Sequence, residues 1–529
     1  MRFKDSKILT SAKFKQYDQN QPSLLPLDLD ELVGKTHLVR VVNKVVDAMD
    51  LGSLTNQYKG GGTTSYHPKM LLKVLLYAYS IKIYTGRKIA AALRSDVHFM
   101  WLAAMNRPDF RTINNFRSGR AKEAVELIFK EMLEFLMEHS YIKMENYFCD
   151  GSTFAADANK HKMVWKKNAE RYKASAEEKC RELFKQIDEL NAAEDKEYGD
   201  NNLEQSGELS PLTGKDIDKQ VQALNKKIKE AADKKTVRKS NSLNKKLEHE
   251  KGRIAGYERQ ISTSGKRSGY NKTDEDATAM RMKNKVETLP AYNVVAGSED
   301  QFITGISVHQ NTNDGTCFAE HMEQVAAQQP CKPGNVIADS IFGTEQNYEL
   351  LEKQGVEAYL KFPTFHAEGT KKYQGNPFLK ENFVYDALTD TYTCPNNQLL
   401  ILTGSHYKTH KVTGYRSHLK QYECAGCKGC PFYAQCCRSS EGSNRIIRVN
   451  EKLDAYKQKA REKLKSEKGI QLRKKRGIEI ESCFGDIKHN MGFRRFHVRK
   501  IQKVKTEITL VAMAHNLRKI NVQELKKAA

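Results

Sequence analysis

One segment of the chain reads Gly477-Ile478-Glu479-Ile480-Glu481-Ser482-Cys483-Phe484-Gly485-Asp486-Ile487-Lys488 and leads into an Arg- and Lys-rich run that extends to Lys500. Within it, apolar residues recur at helical spacing, at Ile480, Phe484, Ile487 and Met491. This spacing predicts a helix that packs one face on a core. Glu481 and Lys488 each follow a residue of this stripe, so we expect both on its rim and facing the same way. An amphipathic helix with a solvated charged face is the plainer interpretation.

Glu481 is an acid in strongly basic surroundings. The basic residues on either side of it are Arg473, Lys474, Lys475, Arg476, Arg494 and Arg495. A carboxylate can lie beside a phosphate backbone only if something cancels the repulsion between like charges, and a divalent metal does so. The segment therefore favours a metal-dependent site, provided that acids elsewhere in the chain can join Glu481.

Length and charge limit the class of protein. A chain of 529 residues is too long for one ordinary core, so two to four modules are expected. The formal net charge of +23 favours a polyanionic partner, although structural nucleic-acid binders share this feature with enzymes. No apolar run reaches the length of a membrane span, and the first residues hold no apolar signal core. The sequence therefore predicts a cytoplasmic protein with no membrane partner.

The first 140 residues are predicted to be mainly helical. We expect an extended lead-in over residues 1–32 and a helical domain over residues 33–140. Pro68 is expected to begin one helix, and a fourth helix is predicted to run to Glu138 with Asp109 or Thr112 as its N-cap. Exposed arginines suit a DNA-docking module, while a dimerisation or packing domain explains the same pattern equally well.

Two aspartates lie in segments that resemble strands. Asp150 stands within the aromatic segment 147–154, where an unpaired carboxylate would be costly to bury. Asp339 ends the short apolar run 335–338, at a position where open α/β sheets bind ligands. We expect both in a core made of residues 141–164 and 270–362. A turn aspartate before Gly151 is the alternative interpretation of Asp150.

A first insertion is predicted over residues 165–269, which are rich in Lys and Glu and poor in aromatic residues. Apolar residues follow heptad steps between Leu243 and Ile261, with Glu250 in one apolar slot, and glycines and a proline interrupt the pattern between residues 199 and 214. A helical hairpin or short coiled coil is expected. A partly disordered, charged segment is the alternative.

A second insertion is predicted over residues 363–450, where six of the eleven cysteines lie. Four of them, Cys424, Cys427, Cys430 and Cys436, fall within thirteen residues and supply the ligands that tetrahedral zinc needs. Cys394 and Cys437 are spare candidates. A structural Zn²⁺ site is therefore expected, with an iron–sulfur cluster or unligated thiols as alternatives. Residues 451–529 are predicted to form C-terminal helices that carry Glu481.

Taken together and in order, these motifs resemble those of the DDE transposases of bacterial insertion sequences. The blocks that carry the resemblance are Tyr17-Asp18-Gln19-Asn20-Gln21, Tyr66-His67-Pro68-Lys69-Met70-Leu71-Leu72, Gly86-Arg87-Lys88-Ile89, Thr112-Ile113-Asn114, Asp150-Gly151-Ser152, Ala158-Asn159-Lys160, Val164-Trp165, Asn311-Thr312-Asn313-Asp314-Gly315, Ala338-Asp339-Ser340, the segment from Glu481 to Lys488, Arg494-Arg495-Phe496-His497-Val498-Arg499 and Ala514-His515-Asn516-Leu517.

The resemblance implies an α+β multidomain protein, with an InsH-like N-terminal domain and a ribonuclease-H-like α/β core that contains both insertions. In that core the two aspartates lie on adjacent strands and the glutamate on a following helix. Asp150, Asp339 and Glu481 would then be the catalytic residues and would hold two Mg²⁺ or Mn²⁺ ions roughly 3.5–4 Å apart. Glu479 is a rival of Glu481, but Phe-Gly and Lys488 follow Glu481 at the expected distances. Gly477 stands where related transposases have Arg, and Arg476 is expected to replace it.

The implied activity is DNA strand cleavage and strand transfer at the ends of an insertion sequence. The implied partner is double-stranded DNA, both terminal inverted repeats and target, bound by a homodimer. The residues expected to contact DNA are Lys488, Arg476, Arg494, Arg495, Arg499 and Trp165. Trp165 would stack on an unpaired base unless it is a core residue. A catalytically silent repressor derived from a transposase, and a ribonuclease-H-like nuclease or resolvase, are the alternatives.

Overall fold

The computed structural model of the chain describes residues 28–58, 65–198, 217–219, 221–223, 225–226, 234–282, 287–437 and 442–528. Helices and sheets are mixed within these residues, as the sequence predicts. Residues 1–27 of the predicted lead-in lie outside the described residues. Its last residues, Leu29–Leu32, form a short helix instead of an extended segment. The interruption predicted between residues 199 and 214 also lies outside them.

The N-terminal part of the described chain is helical. Its elements are α1 (Leu29–Leu32), α2 (Leu38–Ala48), α3 (Gly52–Thr55), α4 (Pro68–Ser80), α5 (Gly86–Ser95), α6 (Val97–Leu102), α7 (Phe110–Ser118) and α8 (Arg120–Glu138). Pro68 begins α4, as predicted, where its missing N–H costs nothing. The fourth predicted helix is in fact two helices. Asp109 caps α7 through the Thr112 amide at 2.7 Å, and Gly119 separates α7 from α8.

The central sheet is mixed. The strands of the core region are β1 (Asn146–Ala155), β2 (Met163–Trp165), β3 (Gly269–Asn271), β4 (Thr278–Arg281), β5 (Thr288–Glu299), β6 (Phe302–His309), β7 (Asn335–Ala338) and β8 (Glu357–Leu360). Across the sheet the order is β6, β5, β1, β7, β8; β5 is antiparallel to both β6 and β1, and β7 is parallel to β1 and β8. β4 pairs with the first residues of β5, and β6 pairs with the later ones. β2 and β3 form a separate two-stranded sheet. This mixed arrangement is consistent with a ribonuclease-H-like core.

The first insertion leaves the core through β2 and returns through β3. Its long helices, α9 (Lys166–Tyr198) and α10 (Lys234–Ser264), pack together around buried residues such as Cys180, Phe184 and Leu247. Glu250, which interrupts the apolar heptad pattern, is buried and accepts hydrogen bonds from Arg253 at 2.8 and 2.9 Å. The ion pair explains how a carboxylate is tolerated at an apolar position.

Two helices lie beside the strands of the core, α11 (Asp314–Ala326) after β6 and α12 (Glu345–Lys353) between β7 and β8. The second insertion then contains two short helices and a five-stranded antiparallel sheet, which sequence analysis missed. These elements are α13 (Lys371–Gln374), β9 (Val384–Asp386), β10 (Thr391–Thr393), β11 (Leu399–Thr409), β12 (Arg416–Cys424), α14 (Tyr433–Cys436) and β13 (Ile446–Val449), with the strands in the order β13, β12, β11, β10, β9.

Three C-terminal helices complete the described chain: α15 (Glu451–Lys465), α16 (Glu467–Gly485) and α17 (Ile501–Ala528). Helix α17 packs on β6 and on α2, α4 and α8, so the N-terminal helices and the central sheet share one hydrophobic core. The buried Glu507 of α17 reinforces this junction. It accepts hydrogen bonds from the Tyr79 hydroxyl at 3.2 Å and the His497 amide at 2.8 Å, and lies 3.5 Å from Arg117.

No described helix combines the length and the apolar character that a membrane crossing requires.

Candidate active site

The three predicted acids come from three different elements. Asp150 lies within β1, and Asp339 follows directly after β7. Because β1 and β7 are parallel with Cys149 opposite Ala338, the two aspartates are neighbours across the sheet. Glu481 lies on α16, which contacts both strands. The apolar stripe predicted for this helix is buried at Ile480 and Phe484, and the Phe484 ring packs on Phe154 of β1. This contact holds Glu481 over the aspartates.

Arg476 brings the three acids together. Its guanidinium nitrogens lie 3.0 Å from Glu481, 3.7 Å from Asp339 and 3.9 Å from Asp150. The Arg476 side chain is 11% exposed, and its Nη1 atom is buried without a hydrogen bond to any described residue. One basic group therefore lies near all three carboxylates and offsets part of their negative charge.

The aspartates receive further positive charge from the end of β8. The ammonium group of Lys361 lies 3.7 Å from Asp339, and the Ser340 amide donates a hydrogen bond to the same carboxylate at 2.8 Å. Burial acts to raise the pKa of Asp339, but the Ser340 amide and the charges of Arg476 and Lys361 outweigh burial, so its pKa is lowered. Asp339 is consequently ionised at neutral pH, as a metal ligand must be.

The acids match the divalent ions that the sequence predicts in chemical type, because carboxylate oxygens are the ligands that Mg²⁺ and Mn²⁺ prefer. They surround the guanidinium at some distance from one another. Among the described residues, no three His, Cys, Asp or Glu side chains lie close enough together to hold a metal ion as they stand.

Glu479 has different surroundings from Glu481. Its side chain is buried, with the residue 2% exposed, and it accepts a hydrogen bond from the Gln301 amide at 2.6 Å and pairs with Lys475 at 3.4 Å. Burial raises the pKa of Glu479, although the Gln301 amide and Lys475 act to lower it. Glu479 thus ties α16 to the turn between β5 and β6, whereas Glu481 faces Arg476.

Lys488 does not lie on a regular continuation of α16. Residues 486–490 form a π-helical turn, a feature often found at functional sites. Within it, Lys488 donates hydrogen bonds to the Ser152 hydroxyl at 2.7 Å and the Thr153 carbonyl at 2.8 Å. The predicted phosphate-binding lysine is therefore fixed to β1, two residues from Asp150.

An ion pair between the buried His515 and the partly buried Asp486 supports the π-helical turn. Asp486 accepts a hydrogen bond from His515 of α17 at 2.8 Å. Burial acts to lower the pKa of His515, but the Asp486 carboxylate raises it to about 10. Burial likewise acts to raise the pKa of Asp486, and the bonds from His515 and Asn490 lower it to about 2. Both groups are therefore charged at neutral pH.

The other predicted DNA contacts lie at the surface around the end of β1. Arg495 and Arg499 both bind Asp157, at 2.7 and 3.0 Å. Arg494 donates to the Lys488 carbonyl at 2.9 Å. Trp165 ends β2 with 41% of its surface exposed, so its interpretation as a core tryptophan is wrong.

Asp314, which lies in the block Asn311-Thr312-Asn313-Asp314-Gly315, is a further acid near this site that the sequence did not predict. A side chain at Gly151 would overlap the Asp314 carboxyl group, and one at Gly315 would overlap the Ile341 carbonyl. These two glycines therefore bring the start of α11 against β1, next to Asp150, and against the segment after Asp339. Asn293 donates a hydrogen bond to Asp314 at 2.5 Å. Close packing of glycine backbone was the signal that could have revealed this neighbour.

The predicted zinc ligands lie near one another without forming a tetrahedral site. Cys424, Cys427, Cys430 and Cys436 line one small cavity, together with Cys394 and Cys437. Some thiols bind the backbone instead: Cys427 accepts from the Arg445 amide at 3.2 Å, and Cys437 donates to the Ser443 carbonyl at 3.4 Å. Zinc at this cluster stays a prediction.

Comparison with known proteins gives two matches to protein families. Residues 393–521, which include Glu481 and the cysteine cluster, match the family described as "Transposase DDE domain". Residues 27–119 match the family described as "Transposase domain (DUF772)". Neither a curated protein nor a solved structure matches the chain. The two family matches support the resemblance to the DDE transposases of insertion sequences that the motifs indicate.

Proposed function

We propose that the protein cleaves DNA strands at the ends of an insertion sequence and joins those ends to target DNA, in a reaction that depends on divalent metal ions. The observation that carries the proposal is the convergence of Asp150, Asp339 and Glu481 on the guanidinium of Arg476. Three carboxylates from two strands and a helix, gathered around a positive charge, are what a two-metal phosphodiester site requires.

Asp150, Asp339 and Glu481 would hold Mg²⁺ or Mn²⁺. Two such ions, when bound, activate water or a 3′-hydroxyl and stabilise the leaving oxygen during in-line displacement. Until then, Arg476 offsets part of the charge of the carboxylates. Lys488 and Lys361 place fixed positive charges on either side of the acids, where they would bind the phosphate that is cut. Arg494, Arg495, Arg499 and the exposed Trp165 would contact the flanking DNA. We propose a cytoplasmic homodimer on its two DNA ends, so that both ends can be processed together.

A cleavage assay on DNA that carries the element's terminal repeats tests this proposal. The amide variants Asp150→Asn, Asp339→Asn and Glu481→Gln should lose Mg²⁺-dependent cleavage and keep their affinity for the DNA, because each change removes a metal ligand and also relieves repulsion against phosphate. Glu479→Gln is the matched control. It removes the same charge two residues away on the same helix and should still cut.

Each result separates the proposal from its alternatives. Wild-type protein that binds the ends and never cuts would be a silent repressor. Cleavage that ignores the terminal repeats would indicate a nuclease or resolvase. Loss of cleavage in Glu479→Gln with normal cleavage in Glu481→Gln would show that the third ligand is assigned wrongly.

A further inference from the structure

Strands β11 and β12 form a projecting two-stranded ribbon whose composition is unusual for this chain. We define the basic ribbon as residues 404–421, the part beyond the irregularity that follows Leu402. Between residues 391 and 422 the sequence contains no Asp or Glu, although 29% of the chain is charged. The ribbon contains Lys408, Lys411, Arg416 and Lys420, and His406, His410 and His418 lie among them.

The cations of the basic ribbon are available for a partner. Lys420 is an exception, because it pairs with Glu451 at 2.7 Å. Lys408, Lys411 and Arg416 form no ion pair with any carboxylate in the part of the chain that the structure describes, and all three are exposed. An unpaired excess of one charge on a surface costs self-repulsion unless an oppositely charged partner offsets it.

The ribbon also has an ordered aromatic surface. Tyr407 is 61% exposed, the Arg416 guanidinium lies over its ring at 4.8 Å, and the His418 ring lies 5.1 Å away. β13 pairs with β12 only from Lys420 onward, so residues 404–419 are paired only within the ribbon. Their paired strands extend about 17 Å. Duplex DNA carries about one charge per 1.7 Å of axis, and its major groove admits a two-stranded ribbon of this kind.

The tip of the ribbon is anchored to α12, the helix that begins six residues after Asp339. The Tyr415 hydroxyl donates hydrogen bonds to Glu345 at 3.0 Å and Glu349 at 2.5 Å, both on the helix that follows Asp339. Thr413 shares a cleft with Asn311 and Gln346. A duplex held along the ribbon would therefore lead towards the active site.

We infer that the basic ribbon is a DNA-binding arm, in which Lys408, Lys411 and Arg416 bind backbone phosphates of the duplex. The inference deepens the proposed function by adding a surface that positions the same DNA. It predicts the loss of about three phosphate contacts when the three cations are removed, because each contact contributes about 0.9 to the slope of log affinity against log salt.

Fluorescence anisotropy of labelled duplex DNA in EDTA, over a range of salt concentrations, tests the inference. The variant Lys408→Ala/Lys411→Ala/Arg416→Ala should bind more weakly, with a salt slope smaller by about 2.7. The charge-keeping variant Lys408→Arg/Lys411→Arg/Arg416→Lys should retain the wild-type slope. A matched control is Lys130→Ala/Lys459→Ala/Lys463→Ala, which removes three cations that are each paired with a carboxylate.

The ribbon inference is overturned if the ribbon variant and the matched control have the same affinity and salt slope. It is also overturned if the ribbon variant loses cleavage with unchanged DNA binding. Failure of the proposed function gives a different result. The slope of log affinity against log salt would still differ between the wild type and the ribbon variant, but the wild type would not cleave DNA with Mg²⁺. The sites are exposed, and thermal melting of each variant verifies folding.

Discussion

Replacing Arg476 with alanine is the sharpest test of how the three proposed catalytic acids are held. In the structure one guanidinium lies within 4 Å of all three carboxylates. Divalent ions bound by the same oxygens would compete with it, so wild-type protein must move Arg476 before it binds metal. The substitution should therefore weaken the metal-free fold and strengthen metal binding at the same time.

The size of both effects follows from the contacts that are lost. Hydrogen bonds to charged groups contribute about 1.5–3 kcal/mol, and the exposure of Asp339 and Glu481, each about half, reduces this to about 1–2 kcal/mol. Arg476→Ala should thus lower the free energy of unfolding in EDTA by about that amount. The same free energy is no longer needed to displace the guanidinium, so affinity for Mn²⁺ should rise about 5–30-fold.

Urea unfolding in EDTA and Mn²⁺ titration followed by electron paramagnetic resonance measure the two quantities. Arg473→Ala is the matched control, because Arg473 lies on the same helix but donates to the Leu464 carbonyl and packs over Phe365. Cleavage by Arg476→Ala should nevertheless fall, since Arg476 is expected to move onto phosphate. Mn²⁺ affinity in Arg476→Ala no higher than in wild type and Arg473→Ala would refute the reasoning.

Three further predictions concern the surroundings of the site. His515→Gln should cost about 1.5–3 kcal/mol because it removes a charged donor from the partly buried Asp486 carboxylate, which keeps Asn490 and Arg518 beside it. Folding raises the pKa of His515 from 6.5 to about 10, so the unfolding free energy of the wild type should fall as pH rises through this interval. Urea unfolding of the variant should show no such fall. Gly151→Ala should lower the unfolding free energy by about 1–3 kcal/mol through overlap with Asp314, and Asp314→Ala in the same chain should restore part of it. Elemental analysis should find about one zinc per chain at the cysteine cluster; metal-free protein after anaerobic purification would contradict this.

Sequence periodicity predicted the elements that are buried. A helix that is buried on one face, such as α16, has an apolar stripe in its sequence, and a strand that is buried on both faces has a short apolar run. These patterns predicted α16 and the strand-like segments at Asp150 and Asp339. The positions of the acids could be anticipated for the same reason, because the ends of buried strands and the rims of buried stripes are defined by the pattern itself.

Elements that are not buried could not be predicted in this way. Strand β11 is exposed at every residue but Leu400, so its sequence has no alternation of buried and exposed residues and the strand was not predicted. The contacts of Arg476 with the three acids could not be predicted either. They depend on the distance between α16 and the strands β1 and β7, which lie more than a hundred residues earlier in the chain. The π-helical turn at residues 486–490 likewise follows from tertiary contacts, those of Asp486 with His515 and of Lys488 with β1.

The segment after Lys488 links the candidate active site to the N-terminal helices. Tyr84 donates a hydrogen bond to the Met491 carbonyl at 2.6 Å, and its ring packs on Phe493 and His497. The backbone of Phe496 then donates to Ala155 of β1 at 2.9 Å. A single stretch of backbone thus contacts the helical domain on one side and the strand that carries Asp150 on the other. Because these contacts belong to one continuous core, a duplex that docks on the N-terminal helices would be placed at a fixed distance from the three acids.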